Sequence, residues 1–270
     1  MGHSLLTFFL LTYLVSWICF GGAAVVSRGD ASPFQALVGR GGLLLFLGVV
    51  APSLVALGLT ARVEGRAGVL ALLRRTVRGP AQARWYAFAV GYTAAIKLSV
   101  ALLHRLITGA WPPFGETPWY VMLGAVAIST PVQAGEEIGW RGYALPRLSR
   151  QLGLAPASVV LGVVWAVWHL PFFFIPASDT FGQSFPLYLL QVVALSVAMA
   201  WLYWRTDGSL LLVMLMHAAV NNTKDIVPSA VEGATDPLAL STSLVAWLTA
   251  SLFWACAVYF LVRMRRAALG

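Results

Sequence analysis

Apolar residues fill this chain in long unbroken runs, with the polar positions gathered between them. Runs of roughly 17 to 25 residues match the length a helix needs to cross a hydrocarbon layer about 30 Å thick. They predict eight spanning helices, at about 4–26, 36–61, 85–107, 118–138, 156–176, 184–204, 209–227 and 242–263. The expected fold is therefore all-α, a polytopic membrane helix bundle of about eight transmembrane helices. With no soluble domain, low-complexity tract or internal repeat in view, residues 1–270 read as a single membrane domain. The first run is preceded by His3 alone and lacks a small-residue cleavage site, so it reads as a retained helix rather than a removed signal.

Composition supports the bilayer as solvent. Of 270 residues 59% are hydrophobic and only 10% charged, with a mean hydropathy of +0.80. A soluble domain has too little interior to hide that much apolar surface, so lipid is the expected surrounding partner. The net charge of +8 does not indicate nucleic acid, because the excess sits in the loops and serves as a topology signal. On one side lie Arg62, Arg66, Arg74, Arg75, Arg78, Arg84, Arg141, Arg147, Arg150, Arg205, Arg263, Arg265 and Arg266. The other side holds Arg28 and Lys224, with Asp30, Glu116, Asp179, Asp225, Glu232 and Asp236; Arg40, Lys97 and Arg105 fall inside or near spans. The bias puts both termini in the cytoplasm of an integral protein of the cell membrane. Arg62 to Pro80 alternates apolar and basic residues at helical spacing, which fits either an interfacial helix on the anionic leaflet or a solvated loop. Cys19 and Cys256 lie in apolar runs far apart in sequence, and indicate neither a disulfide framework nor a cysteine metal site.

Against this background three polar groupings stand out, since ionisable groups within spans are costly and mark functional sites. The first is Gly135-Glu136-Glu137-Ile138-Gly139-Trp140-Arg141-Gly142-Tyr143. Glu137 and Arg141 are i,i+4 on a helix and can pair, while Glu136 points about 100° away. Glu137 would then be held ionised and Glu136 left desolvated, suited to take a proton from water. The plain alternative is a salt-bridge cluster at the end of a span. The second grouping is His169, four residues after Trp165 and two before Pro171, where a hydrogen-bonded core histidine is as common as a functional one. The third is His217 with Asn221, also i,i+4 and so on one helix face, where the alternative is a hydrogen bond between helices. Counting about 1.5 Å per residue, Glu136 lies roughly 8 to 16 Å from Arg141 and Arg147, and His217 roughly 12 Å beyond Ser209. His169, roughly 20 Å beyond Pro156 by the same count, comes out deeper than its partners.

Glu136-Glu137-x-x-x-Arg141, Trp165-x-x-x-His169 and His217-x-x-x-Asn221, with the flanking Arg141-Gly-Tyr-Ala-Leu-Pro-Arg147 and Trp168-His-Leu-Pro171, resemble the CAAX prenyl protease and bacteriocin-processing (Abi) family of intramembrane proteases. The resemblance is carried by a core over residues 118–225, and Trp165 stands where phenylalanine is usual in that family. It implies a peptide-bond hydrolase with a polar cavity open to the cytoplasm. In that reading Glu136 is the general base, His169 holds or polarises water, Glu137 and Arg141 orient the site, and His217 and Asn221 stabilise the oxyanion. Two mechanisms remain open: a catalytic zinc held by Glu136, His169 and His217, or a metal-free glutamate mechanism. No His-Glu-x-x-His helix is present to favour the first.

A serine protease lacks its nucleophile turn here, and an aspartyl type lacks intramembrane aspartates. The competing readings are a proton-coupled transporter, and a non-catalytic peptide-binding or bacteriocin-immunity protein using the same cavity. The expected substrate is a peptide or a membrane-protein tail.

Overall fold

A computed structural model describes residues 2–26, 39, 41–80, 82–175, 178, 180–229, 236–240 and 242–265. All its regular structure among these residues is helical: α1 Gly2–Val26, α2 Gly42–Arg74, α3 Ala83–Thr108, α4 Trp119–Ser129, α5 Ala134–Glu137, α6 Leu145–Leu152, α7 Leu154–Trp168, α8 Phe185–Arg205, α9 Leu210–Thr223 and α10 Leu244–Met264. A π-helical segment, Ile138–Ala144, joins α5 to α6, and short 3-10 turns follow α4, α7 and α9. Arg28, Asp30, Arg40, Asp179, Glu232 and Arg266, all used in the charge tally, lie outside the described residues.

The chain passes eight times between two ends of the bundle. One end carries the arginines and is tied by hydrogen bonds from Leu210 N to Arg75 O at 3.0 Å and from the Ser209 hydroxyl to Arg78 O at 2.7 Å. The other is tied by Gly115 N to Ile226 O at 3.2 Å and Phe185 N to Pro237 O at 2.7 Å. Six of the passes are helices long and apolar enough to cross a membrane. The remaining two depart from straight spanning helices. The run 118–138 breaks at Thr130–Gln133, where Pro131 cannot extend an α-helical ladder. α9, predicted over 209–227, has 14 residues, about 21 Å. It packs against α3, α4 and α8, so protein rather than lipid surrounds it and bilayer thickness does not set its length.

Start signals agree with the helices found. Ser184, Ser209 and Ser243 cap α8, α9 and α10 by accepting from Leu187 N, Leu212 N and Ala246 N at 3.5, 3.3 and 3.2 Å. The segment read as an interfacial helix is mostly a continuation of α2, bent at Gly65, whose φ of 65° and ψ of −165° lie outside the helical region. Lipid-facing positions are apolar and exposed, as at Leu10, Leu43, Leu98 and Ile128.

One crossing positions the functional segment. Pro52, inside α2, has no N–H to bond the Gly48 carbonyl, and Ser16 Oγ of α1 donates to that carbonyl instead at 2.8 Å. The π segment then presses onto the bend: a Cβ on Gly139 would lie 2.6 Å from the Pro52 carbonyl carbon and oxygen. Ser53 Oγ donates to Ala134 O at 2.6 Å across the same contact. Gly139→Ala should therefore lower the thermal unfolding midpoint in detergent by the equivalent of about 1–3 kcal/mol, the usual cost of overpacking. Gly91→Ala, where an added Cβ meets nothing within 4 Å, should leave the midpoint unchanged or raise it.

Candidate active site

The α2 crossing holds α5 inside the bundle, and with it both adjacent glutamates: Glu136 is 6% exposed and Glu137 fully buried. Arg141 follows on the π segment, also fully buried. Its Nη1 donates to Glu137 Oε1 at 2.9 Å and Oε2 at 3.1 Å, the pair predicted from the i,i+4 spacing. Arg141 Nε and Nη2 make no hydrogen bond, and the guanidinium instead lies 4.1 Å from the centre of the Trp165 ring. A cation held against an aromatic face inside an apolar bundle recovers part of what it loses in hydration. Arg141 therefore does not belong among the loop arginines; its ion pair draws it into the core.

His217, on α9, completes this cluster from across the bundle, its Nδ1 donating to Glu137 Oε1 at 2.8 Å. Glu137 is thus engaged by Arg141 on one helix and His217 on another. Glu136 faces elsewhere, as the turn between neighbouring residues predicts. Its Oε2 accepts from Trp165 Nε1 at 2.8 Å and from Trp140 Nε1 at 3.3 Å. His169 caps α7, with Nδ1 donating to the Trp165 carbonyl at 2.8 Å.

Glu136, His169, His217 and Asn221 all line one cavity of about 430 Å³, which Trp165, Trp168, Tyr188 and Lys97 also line. Glu137 and Arg141 lie behind its wall. The aromatic-x-x-x-His spacing is the one sequence signal for Trp165, and only the fold shows that it donates to Glu136. Lys97, left over within a span, is 3% exposed and donates to Val227 O at 3.0 Å and Ser229 Oγ at 2.7 Å.

The three residues considered as zinc ligands do not fit that role. Both histidine rings stand edge-on to the Trp165 indole, at centroid distances of 5.7 Å for His169 and 5.2 Å for His217. Among the described residues no three His, Cys, Asp or Glu side chains are grouped so as to hold a metal ion. The cavity is lined by side chains of α3, α7, α8, α9 and α10, with Val49 of α2 and Glu136 of α5.

Residues 116–223, the stretch that contains every one of these polar groups except Lys97, match the family described as type II CAAX prenyl endopeptidase Rce1-like. That stretch is similar to the Rce1-like family. Within the chain, 98 residues are 29% identical to CAAX prenyl protease 2 of Methanococcus maripaludis. That match spans 34% of this chain and 36% of the relative.

The buried pair makes a direct prediction. Arg141→Ala leaves the Glu137 charge without its guanidinium partner, and should destabilise the protein by about 3–5 kcal/mol. The check is the shift in thermal unfolding midpoint in detergent. Glu137→Gln combined with Arg141→Met, which removes both charges, should recover most of the loss.

Proposed function

We propose that the protein is an intramembrane endopeptidase in which Glu136 activates water for attack on a peptide bond. The observation that carries this reading is the asymmetric fixing of Glu136 on the wall of a 430 Å³ cavity in the Rce1-like segment. Two indole N–H groups hold Oε2, which leaves Oε1 to accept from a water in the cavity. As the water oxygen bonds to the substrate carbonyl carbon, its proton passes to Glu136 and the carbonyl π pair moves onto oxygen. Asn221 supplies a donor to that oxyanion. His217 supplies a second when its Nε2 is protonated, an imidazolium that Glu137 Oε1 at 2.8 Å would stabilise. His169 orients the water. Collapse of the intermediate then breaks the C–N bond, the leaving nitrogen takes the proton from Glu136, and a carboxylic acid remains. Glu137, Arg141 and Trp165 act as positioning residues.

In this reading the protein sits in the cell membrane with its arginine-rich end in the cytoplasm. The first residue of α1 and the last of α10 are at that end, which suits cytoplasmic termini. The substrate is a peptide or a membrane-protein tail, and the core 118–225 carries the chemistry.

Comparison of the peptides released from membranes carrying wild-type protein or Glu136→Gln tests the proposal. The wild type should produce fragments absent from the variant, and Asn221→Ala should slow their release by roughly 100-fold. Equal peptide sets would leave a binding function in place of catalysis.

A further inference from the structure

We infer that a second cavity, at the arginine end, binds the headgroup of an anionic phospholipid, with its phosphodiester on arginines and its terminal hydroxyls on carboxylates. This cavity, of about 370 Å³, shares no lining residue with the one that holds Glu136. Arg75, Arg147 and Arg150 line it together with Glu64 and Asp207. Three cations against two anions leave one positive charge, which a single phosphodiester cancels.

The three arginines differ in how they are held. Arg147 is fixed: Nη2 donates to Glu64 Oε1 at 2.9 Å and Nη1 to Tyr143 O at 3.1 Å, with the guanidinium 3.6 Å from the centre of the Tyr143 ring. Arg75 donates Nη1 to the Tyr203 hydroxyl at 2.8 Å, which leaves its remaining N–H groups for a ligand. Arg150 is exposed and makes no hydrogen bond or ion pair among the described residues. Because Tyr203 Oη accepts from Arg75, its own proton is left to donate. Two guanidinium forks and a phenol at one cavity match the acceptor oxygens of a phosphate. Glu64 Oε2 and the Asp207 carboxylate remain to accept from headgroup hydroxyls.

The cavity also lies at the depth of headgroups. α8, apolar and long enough to span, ends at Arg205, between the lining residues Trp204 and Asp207. Tryptophan at the end of a span is characteristic of the interface. Beyond the bend at Gly65, the last part of α2 gives Gly68 and Leu72 to the wall, and Arg75 follows. Leu70 and Leu73 are each two positions from such a residue, so they point to the opposite side of the helix, and both are exposed. An apolar outer face behind a charged inner one fits a segment lying against lipid, which brings headgroups within reach of the cavity. The remaining wall belongs to the functional segment: Gly142 directly follows Arg141, and Pro146 and Arg147 begin α6. A bound headgroup therefore braces the stretch that carries the buried ion pair.

Thermal unfolding midpoints of the purified full-length protein in dodecyl maltoside test this, with phosphatidylglycerol, phosphatidylcholine or glycerol phosphate added in turn. The midpoint should rise saturably with phosphatidylglycerol and hardly move with the other two. Arg75→Gln and Arg150→Gln should each raise the half-saturating concentration roughly tenfold, the loss of one charge-assisted hydrogen bond. Arg66→Gln, the same charge change at an exposed position of α2 outside the cavity lining, should leave it unchanged. Arg150→Gln removes no contact of the folded protein, so its midpoint without lipid should match the wild type. An equal rise with phosphatidylcholine would make the lipid effect unspecific, and an equal rise with glycerol phosphate would make the ligand a soluble phosphate. Equal weakening by Arg66→Gln would reduce the effect to a diffuse field. Each of these, like the absence of any rise, overturns the proposal.

Discussion

A carboxylate and a guanidinium placed side by side with no exposure, in a bundle otherwise built for lipid, set the constraint on which this molecule is organised. An isolated charge there would be prohibitive, so Glu137 and Arg141 must be together, and each draws further partners. Arg141 takes the face of Trp165; Glu137 takes His217 from α9. Those contacts tie three passes of the chain at one level of the bundle. The close approach of Gly139 to Pro52 supplies the backbone arrangement that lets the pair lie so deep. A π-helical segment at this point fits the tendency of such irregular turns to occur where function needs a side chain re-aimed.

The two adjacent glutamates consequently differ in situation. Glu137 is held by Arg141 and His217 and faces protein. Glu136 is anchored on one oxygen by neutral indole donors and faces a cavity. Trp165 links the two, since its ring covers Arg141 while its N–H reaches Glu136. A phenylalanine at that position would keep the first contact and lose the second, so the exchange relative to the family pattern alters the site chemically.

Much of this was legible in the sequence because membrane passage imposes a strong pattern. Apolar runs located every pass, and the i,i+4 spacing predicted the Glu137–Arg141 pair. Residues that meet across the fold were harder to read. Nothing local to Trp165 indicates that its N–H ends on Glu136, which lies 29 positions away. The break at Thr130–Gln133 and the short α9 escaped a hydropathy reading because apolar sequence looks alike whether it faces lipid or protein. Arg141 was assigned to a loop by its charge alone, although its partner one turn earlier pulls it inward. The depth count that set His169 apart from Glu136 was a true signal: His169 sits at the C-terminal end of α7.

The central claim is that neighbouring glutamates divide chemistry from structure, and the most direct test measures activity and unfolding midpoint together for Glu136→Gln and Glu137→Gln. Loss of hydrolysis at an unchanged midpoint for Glu136→Gln, with a clearly lowered midpoint for Glu137→Gln, is the predicted result. If Glu136→Gln unfolds more easily while still hydrolysing peptide, or Glu137→Gln leaves the midpoint untouched, the assignment of roles is wrong.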